Sequence, residues 1–203
     1  MPADPLRVFI ESHERLFVLT GAGCSTASGI PDYRDADGAW KRSPPVTLQA
    51  FLGDETTRKR YWARSMLGWR RFGYAPTNDV HRALTQNVDR LHQTAGSQKV
   101  IDLHGRMDIV RCLGCDARIP REALQQELLA RNPGWIDIEA KSAPDGDADI
   151  ENADFTRFDL PDCAQCEGVL KPDVVFFGEN VPRERVEIAI THLENADAML
   201  VVG

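Results

Sequence analysis

Two matched pairs of cysteines, Cys112-Leu-Gly-Cys115 and Cys163-Ala-Gln-Cys166, constrain this chain more than any other feature. Each pair brackets two residues, so its thiolates can bite one metal ion from a tight turn, and two such pairs complete a tetrahedron. Four sulfur ligands with no open position suit one closed structural zinc ion, which marks architecture rather than chemistry. The 47 residues between the pairs exceed the usual ribbon spacing, so an insertion lies inside the module. Disulfides would need an oxidising compartment, and Met1-Pro-Ala-Asp-Pro5 lacks the basic-then-apolar start of a secretory signal. A redox-active pair needs only one such motif. The fifth cysteine, Cys24, lies apart in a glycine-rich turn and reads as a small packed residue, redox-sensitive if exposed.

The 203 residues suffice for one core and a small module. Apolar runs stay shorter than a membrane span, so no membrane partner is expected. A net charge of −7 argues against binding the backbone of DNA or RNA, which needs clustered Lys and Arg. Reduced thiols imply an intracellular protein, cytoplasmic if bacterial and mitochondrial if eukaryotic.

Arg15–Thr20 is a short apolar run that enters Gly21-Ala-Gly23 and a short helical stretch ending at Ile30–Arg34. A buried strand running into a glycine turn opens a nucleotide-binding β-α unit. Residues 35–76 read as loop and helices, Val100–His104 as a strand, 121–131 as a helix, Val174–Phe177 as a strand, Pro182–Asn195 as a helix and Ala198–Val202 as a strand. Strands alternating with helices predict an α/β fold: a Rossmann-like parallel sheet with a small four-cysteine zinc-ribbon module inserted. The domains follow as 1–110 with 171–203 for nucleotide binding and 111–170 for zinc. In such sheets ligands bind beyond the carboxyl ends of the strands, so Gly21, His104 and Gly178 are expected to converge on one cleft.

Taken singly, the polar motifs are ambiguous. Gly21-Ala-Gly23 lets backbone N–H groups approach a pyrophosphate, and it is equally the pattern of a tight turn. Thr85-Gln-Asn-Val-Asp89 offers amides and a carboxylate that could hold a carboxamide, or an Asx-type turn. His104 at a strand end can act as a general base, or simply be a satisfied structural histidine.

The order of the motifs is more specific. Gly21–Arg34, Thr85–Asp89, Leu103-His-Gly105, the paired cysteines and Lys171–Glu179 succeed one another in a series that resembles the sirtuins, NAD-dependent protein lysine deacylases. Arg60-Tyr-Trp-Ala-Arg64, Gly68-Trp69 and the insertion at Pro144-Asp-Gly-Asp147 look most like the class II branch. The resemblance implies NAD across the cleft, with Gly21, Ala22 and Gly23 at the pyrophosphate and Ser25 and Pro31 also binding the cofactor. It implies a mobile cofactor loop containing Ala22, Asp32, Tyr33 and Arg34, and Ile30, Gln86, Asn87 and Asp89 around ribose and nicotinamide. Gly203 would also touch the cofactor. His104 and Asn87 would be catalytic, His104 also meeting the ribose. Val175, Phe176, Phe177 and Gly178 would flank an acylated lysine of a protein substrate, partly by strand addition. The acyl group would pass to ADP-ribose as nicotinamide leaves.

Two departures from that pattern stand out. Sirtuins interpose more helix, a turn and an apolar strand before the Thr-Gln-Asn cluster, whereas here Leu84 abuts Thr85. Roughly a dozen residues are missing, enough for a turn and one strand. Loss of that strand predicts an unpaired neighbour and a void. The sequence also ends at Gly203, where sirtuins continue. The alternatives to a deacylase are accordingly a catalytically impaired zinc- and NAD-binding remnant, or a mono-ADP-ribosyltransferase. A hydride-transferring dehydrogenase leaves the zinc module and the Thr-Gln-Asn cluster without a role.

Overall fold

The computed structural model describes residues 4–35, 37–41, 44–78, 90–96, 100–138, 141–142, 148–150 and 153–202. Helix α1 (Pro5–Glu11) is started by Asp4, whose carboxylate accepts the Leu6 N–H at 3.0 Å. Strand β1 (Leu16–Thr20) follows, then a tight 3-10 turn over Ala22–Ser28 that closes on Gly29 in the left-handed region at φ +82°. The short helical stretch expected after the glycines is thus 3-10 rather than α.

Helix α2 (Leu48–Gly53) leads into α3 (Glu55–Phe72). Asp54 caps α3 by accepting the Thr57 N–H at 2.7 Å; Glu55 in the first turn and Arg70 and Arg71 in the last complement the helix dipole. Trp62, Met66 and Trp69 recur at helical spacing and are buried together with Tyr61 and Phe72. The aromatics of 35–76 are therefore chiefly core. They pack into one cluster that includes Phe51, Met107, Val110, Phe158 and Phe176. Helix α4 (Leu91–Thr94) is a single turn.

The second layer is antiparallel. Strand β2 (Gly105–Cys112) lies between β3 (Arg118–Pro120) and a later strand, with Val110 opposite both Ile119 and Pro172. Helix α5 (Arg121–Arg131) occupies the span read from the sequence and docks on α3 through polar bonds. Gln125 Nε2 donates to the Met66 carbonyl at 2.8 Å, and Trp69 Nε1 to Glu122 at 3.0 Å. The insertion between the cysteine pairs contributes a two-residue ladder, β4 (Lys141–Ser142) with β5 (Ala148–Asp149). Strand β6 (Leu170–Val174) completes the antiparallel sheet. Helix α6 (Arg183–Glu194) and strand β7 (Ala198–Val202) end the described chain.

Strands β1 and β7 pair in parallel, Leu16 opposite Ala198 through Thr20 opposite Val202, as an α/β fold requires. Arg15 and Asp197 clasp the start of the pair by an ion pair at 2.5 Å and two bonds that use the backbone. The Gly21 N–H donates to Val202 at 2.8 Å and carries the pairing into the glycine turn.

Two strand expectations are corrected. Val100–His104 joins no ladder among the described residues. A strand exists only by pairing, and among those residues β1 pairs with β7 alone. The Val174–Phe177 strand starts and ends earlier, as β6, and belongs to the antiparallel sheet. Beyond Val174 the backbone is diverted: Val175 N–H donates to the His104 carbonyl at 2.8 Å, and only Phe177 bridges again, to Thr47.

Candidate functional site

The cysteine module is two near-identical knuckles. In the first, Cys112 N–H donates to the Ala117 carbonyl and Asp116 N–H to Cys112; in the second, Cys163 N–H donates to Gly168 and Glu167 N–H to Cys163, all at 2.8–3.1 Å. Asp116 (φ +62°) and Glu167 (φ +58°) turn each chain back through the left-handed region. Gly168 lets the second knuckle lie against the first, since a Cβ there would sit 2.9 Å from the Cys112 sulfur. The four sulfurs lie within 4.8 Å of one another, with Cys112–Cys166 at 3.5 Å and Cys115–Cys163 at 3.7 Å. A zinc tetrahedron with Zn–S of about 2.3 Å has edges of roughly 3.8 Å. The donor set and its spacing fit one zinc ion.

The glycine turn is held from behind. Asn78 Nδ2 donates at 2.9 Å both to the Cys24 carbonyl and to Ser28 Oγ, fixing the buried face of the 3-10 turn. Sequence reasoning misses Asn78, because a polar residue between Thr77 and Asp79 carries no signal. Cys24 is buried, as expected of a packed residue. At the head of the turn the Thr20 hydroxyl is buried with no hydrogen-bond partner among the described residues, a polar atom left for a ligand.

The loop after Pro31 closes on itself. Arg34 bridges Trp40, Lys41 N–H donates to the Tyr33 carbonyl at 3.0 Å, and the Arg34 guanidinium stacks 3.9 Å from the Trp40 ring centre. Lys41 pairs with Asp32 at 2.5 Å, and that hydrogen bond holds the Asp32 carboxyl below its usual range. Tyr33 and Trp40 then meet Phe177 edge to face, at 6.0 and 5.6 Å between ring centres. This contact joins the expected cofactor loop to the expected acyl-lysine segment.

His104 is exposed, immediately before Gly105. Gly105 holds φ +91°, and any Cβ there would strike the Asp173 carbonyl at 2.0 Å, so the Leu-His-Gly motif needs its glycine for backbone packing. Partial desolvation lowers the His104 pKa, which favours the neutral imidazole that a base requires. The segment before it is anchored by Asp102, which accepts from Gln93 Nε2 at 2.8 Å and pairs with Arg90 at 3.4 Å.

The segment Val175–Gly178 sits beside His104. Phe176 is buried against Phe51 and Tyr61, whereas Phe177 is 45% exposed. Phe176 N–H donates to Glu179 at 2.9 Å, and the Phe177 carbonyl accepts from Leu48 at 3.0 Å. With Val175 bound to His104, much of this backbone is already engaged. Glu179 also pairs at 2.9 Å with buried Lys171, whose ammonium donates to the Val174 carbonyl. The sequence gives these two residues no role beyond their place in the motif, yet together they set the turn. Lys171→Met is expected to cost about 3 kcal/mol, because it strips Glu179 and a buried carbonyl of their cation. Urea titration measures it, and a change under about 1 kcal/mol would deny the pair that role.

The Gly21 turn and His104 are therefore connected through the Tyr33–Phe177 contact and the Val175 bond. Gln86, Asn87, Asp89 and Gly203 lie outside the described residues.

Residues 21–203 match the Sir2 family. The chain is 63% identical over 211 positions to the NAD-dependent protein deacetylase of Xanthomonas campestris pv. campestris (strain 8004), covering 98% of this chain and 72% of the relative. It is 60% identical to NAD-dependent protein deacetylase 2 of Bradyrhizobium diazoefficiens, covering 98% of this chain and 77% of the relative. With 211 aligned positions against 203 residues, at least eight positions of each relative have no counterpart here. Among solved structures, a Sir2–p53 peptide–NAD+ complex superposes with a TM-score of 0.71 at 28% identity, over 100% of this chain and 76% of that one. A Sir2 homologue in complex with ADP-ribose gives 0.69 at 32% identity, over 98% and 74%. The glycine turn, the Leu-His-Gly motif and the four-cysteine cluster all lie within the matched span, and the chain belongs to the Sir2 family, the sirtuins.

Proposed function

We propose that this protein is an NAD-dependent protein lysine deacylase that releases nicotinamide and passes the acyl group to ADP-ribose. NAD, when bound, supplies the ribosyl electrophile and the nicotinamide leaving group. The fit to the cofactor rests on the half-buried Gly21–Gly23 backbone and the buried Thr20 hydroxyl, which has no hydrogen-bond partner among the described residues. Gly21, whose N–H is already given to Val202, leaves room for the pyrophosphate to approach, and Ala22, Gly23 and Ser25 at the start of the 3-10 turn bind the cofactor beside it. The Asp32–Arg34 loop, braced on Trp40 and Phe177, closes over the cofactor and excludes water. Gln86, Asn87 and Asp89 orient ribose and nicotinamide. His104 takes the proton from a ribose hydroxyl. Val175–Gly178 positions the acyl-lysine, with the exposed Phe177 ring as its apolar contact.

The domain division at 111 and 170 belongs to the same reading, as does an intracellular setting in which the thiols stay reduced. The class II assignment rests on the Arg60–Arg64 and Gly68-Trp69 residues, of which Tyr61, Trp62 and Trp69 are core.

The observation that carries the proposal is the adjacency of a partly desolvated, exposed His104 to the Val175 backbone, within a chain of this family. The test is nicotinamide release from NAD with an acetyl-lysine peptide, followed by product analysis. Acetylated ADP-ribose with free lysine peptide is the expected result. ADP-ribose on protein would make the chain a transferase, and NAD binding without turnover would leave the remnant reading.

A further inference from the structure

We infer that Glu179, moored by the buried Lys171 ammonium, is a positioning residue for the acyl-lysine: it folds the Phe176–Gly178 backbone so that the Phe177 ring faces outward, and peptide affinity depends on it more than stability does. The identity of the ligand rests on the deacylase reading. Glu179 meets Phe176 twice. Its carboxylate accepts the Phe176 N–H at 2.9 Å, and its own N–H donates to the Phe176 carbonyl at 2.9 Å. Phe176–Glu179 is thereby a closed four-residue turn. Gly178, at φ +80°, stands in its third position, where a type II turn needs the left-handed region. Within this turn the two phenylalanines diverge. The Phe176 ring packs on Phe51 and Tyr61 and lies 4.5 Å from Lys171 Nζ. The Phe177 ring is left to face Tyr33 and Trp40.

The cation under the turn is well enclosed. The Lys171 side chain is 5% exposed, and its ammonium is engaged by Glu179 at 2.9 Å and by the Val174 carbonyl. Taking two charges out of water stabilises a fold little more than an apolar pair of the same size would. What the ion pair adds, and an apolar pair cannot, is direction: an acceptor aimed at one N–H of the segment beside His104. The flanking backbone is fixed by other partners, Val175 N–H by the His104 carbonyl and the Phe177 carbonyl by Leu48 N–H. Removing Glu179 therefore frees the middle of the segment, where the exposed ring is aimed. His104 is held independently by its own turn, in which Gly105 N–H donates to the Asp102 carbonyl at 2.9 Å. The loss should accordingly fall on peptide binding rather than on the chemical step.

The probe is a fluorescein-labelled acetyl-lysine peptide, titrated by anisotropy onto the full zinc-loaded chain, with nicotinamide release measured on the same samples. Two variants set affinity against stability. Lys171→Met with Glu179→Leu leaves no unpaired charge, so its melting temperature should stay within about 4 °C of the parent. It should nevertheless bind the peptide about tenfold more weakly, the scale of one lost hydrogen bond. The KM for peptide should rise by the same factor while kcat stays within about threefold. Glu179→Gln keeps an acceptor oxygen for Phe176 but strands the Lys171 cation. It should melt lower than the double variant and yet bind the peptide better, within about threefold of the parent. Exchange of the Phe176 amide should quicken about tenfold in the double variant only. Peptide affinity that follows melting temperature across the series would show a structural pair and overturn the inference. Unchanged Phe176 exchange in the double variant would overturn it too, as would a tenfold loss of binding in Glu179→Gln. Parent that binds the peptide without turnover would defeat the deacylase reading and leave this inference standing. Parent that binds no acetyl-lysine peptide would overturn both.

Discussion

His104→Tyr is expected to lower NAD-dependent deacylation by about 10²–10⁴-fold, the range for losing a positioned base. The side chain is exposed, and surface substitutions usually change stability by less than about 0.5 kcal/mol. Zinc content and melting temperature should therefore match the parent, which separates lost chemistry from lost fold. The pH profile gives an independent check. Desolvation lowers the His104 pKa from the ordinary value of 6.5, so the neutral base is retained at neutral pH and lost only as pH falls through that lowered value. Parent kcat/KM should be level from neutral pH upwards into mildly basic solution and fall on an acid limb lying below 6.5. A variant with turnover within a few-fold of the parent, or a parent limb lying above 6.5, would remove His104 from the proton transfer.

What the sequence made legible were the features whose signal is local. Cysteines with two residues between them dictate a knuckle whatever surrounds them, and both knuckles form with matching turns. Helix α5 coincides with its expected span because its ends are written in neighbouring residues: Pro120 before it, Asn132 and Pro133 after it. Strands β1 and β7 were visible as apolar runs, but not their pairing, which joins residues 182 positions apart, as Leu16 and Ala198 are. Val100–His104 has the composition of a strand and joins no ladder among the described residues; strand formation depends on a neighbour that the residues themselves cannot name. Val174–Phe177 misled for the opposite reason. Its apolar run is continuous, yet Phe176 points into the core and Phe177 out to the Tyr33–Trp40 cluster, so burial there divides the run. Asn78, Asp102, Lys171 and Glu179 support the site through a pair of polar contacts each, and isolated polar residues have no periodicity to read.

Removing zinc should produce the largest change in stability. Structural zinc binds such four-cysteine sites with about 10–16 kcal/mol, comparable to the whole stability of a domain at about 5–15 kcal/mol. Without the ion, four sulfurs held within 4.8 Å of one another lose the charge that draws them together, and they cannot all stay ionised at that range. The damage has a route into the rest of the molecule. Cys112 ends β2 and Leu170 begins β6, so the central strand of the antiparallel sheet and one of its outer strands meet at the knuckles. The Leu170 carbonyl accepts Trp62 Nε1 at 3.1 Å, and Trp62 is fully buried at the centre of the core. Loosening the knuckles therefore releases an α3 tryptophan rather than a surface loop. Chelation, or Cys163→Ala, should abolish the near-ultraviolet circular dichroism of the tryptophans and the cooperative melt, and the parent should contain one zinc per chain. Turnover should vanish with them although the metal touches no reacting atom, because His104 immediately precedes β2 and is bonded to the residue that follows β6. A chain that keeps its melting temperature within about 2 °C after complete zinc removal would show that the knuckles fold without metal. The four cysteines would then hold the turn by packing alone, and the closed-site reading of the two pairs would have to be given up.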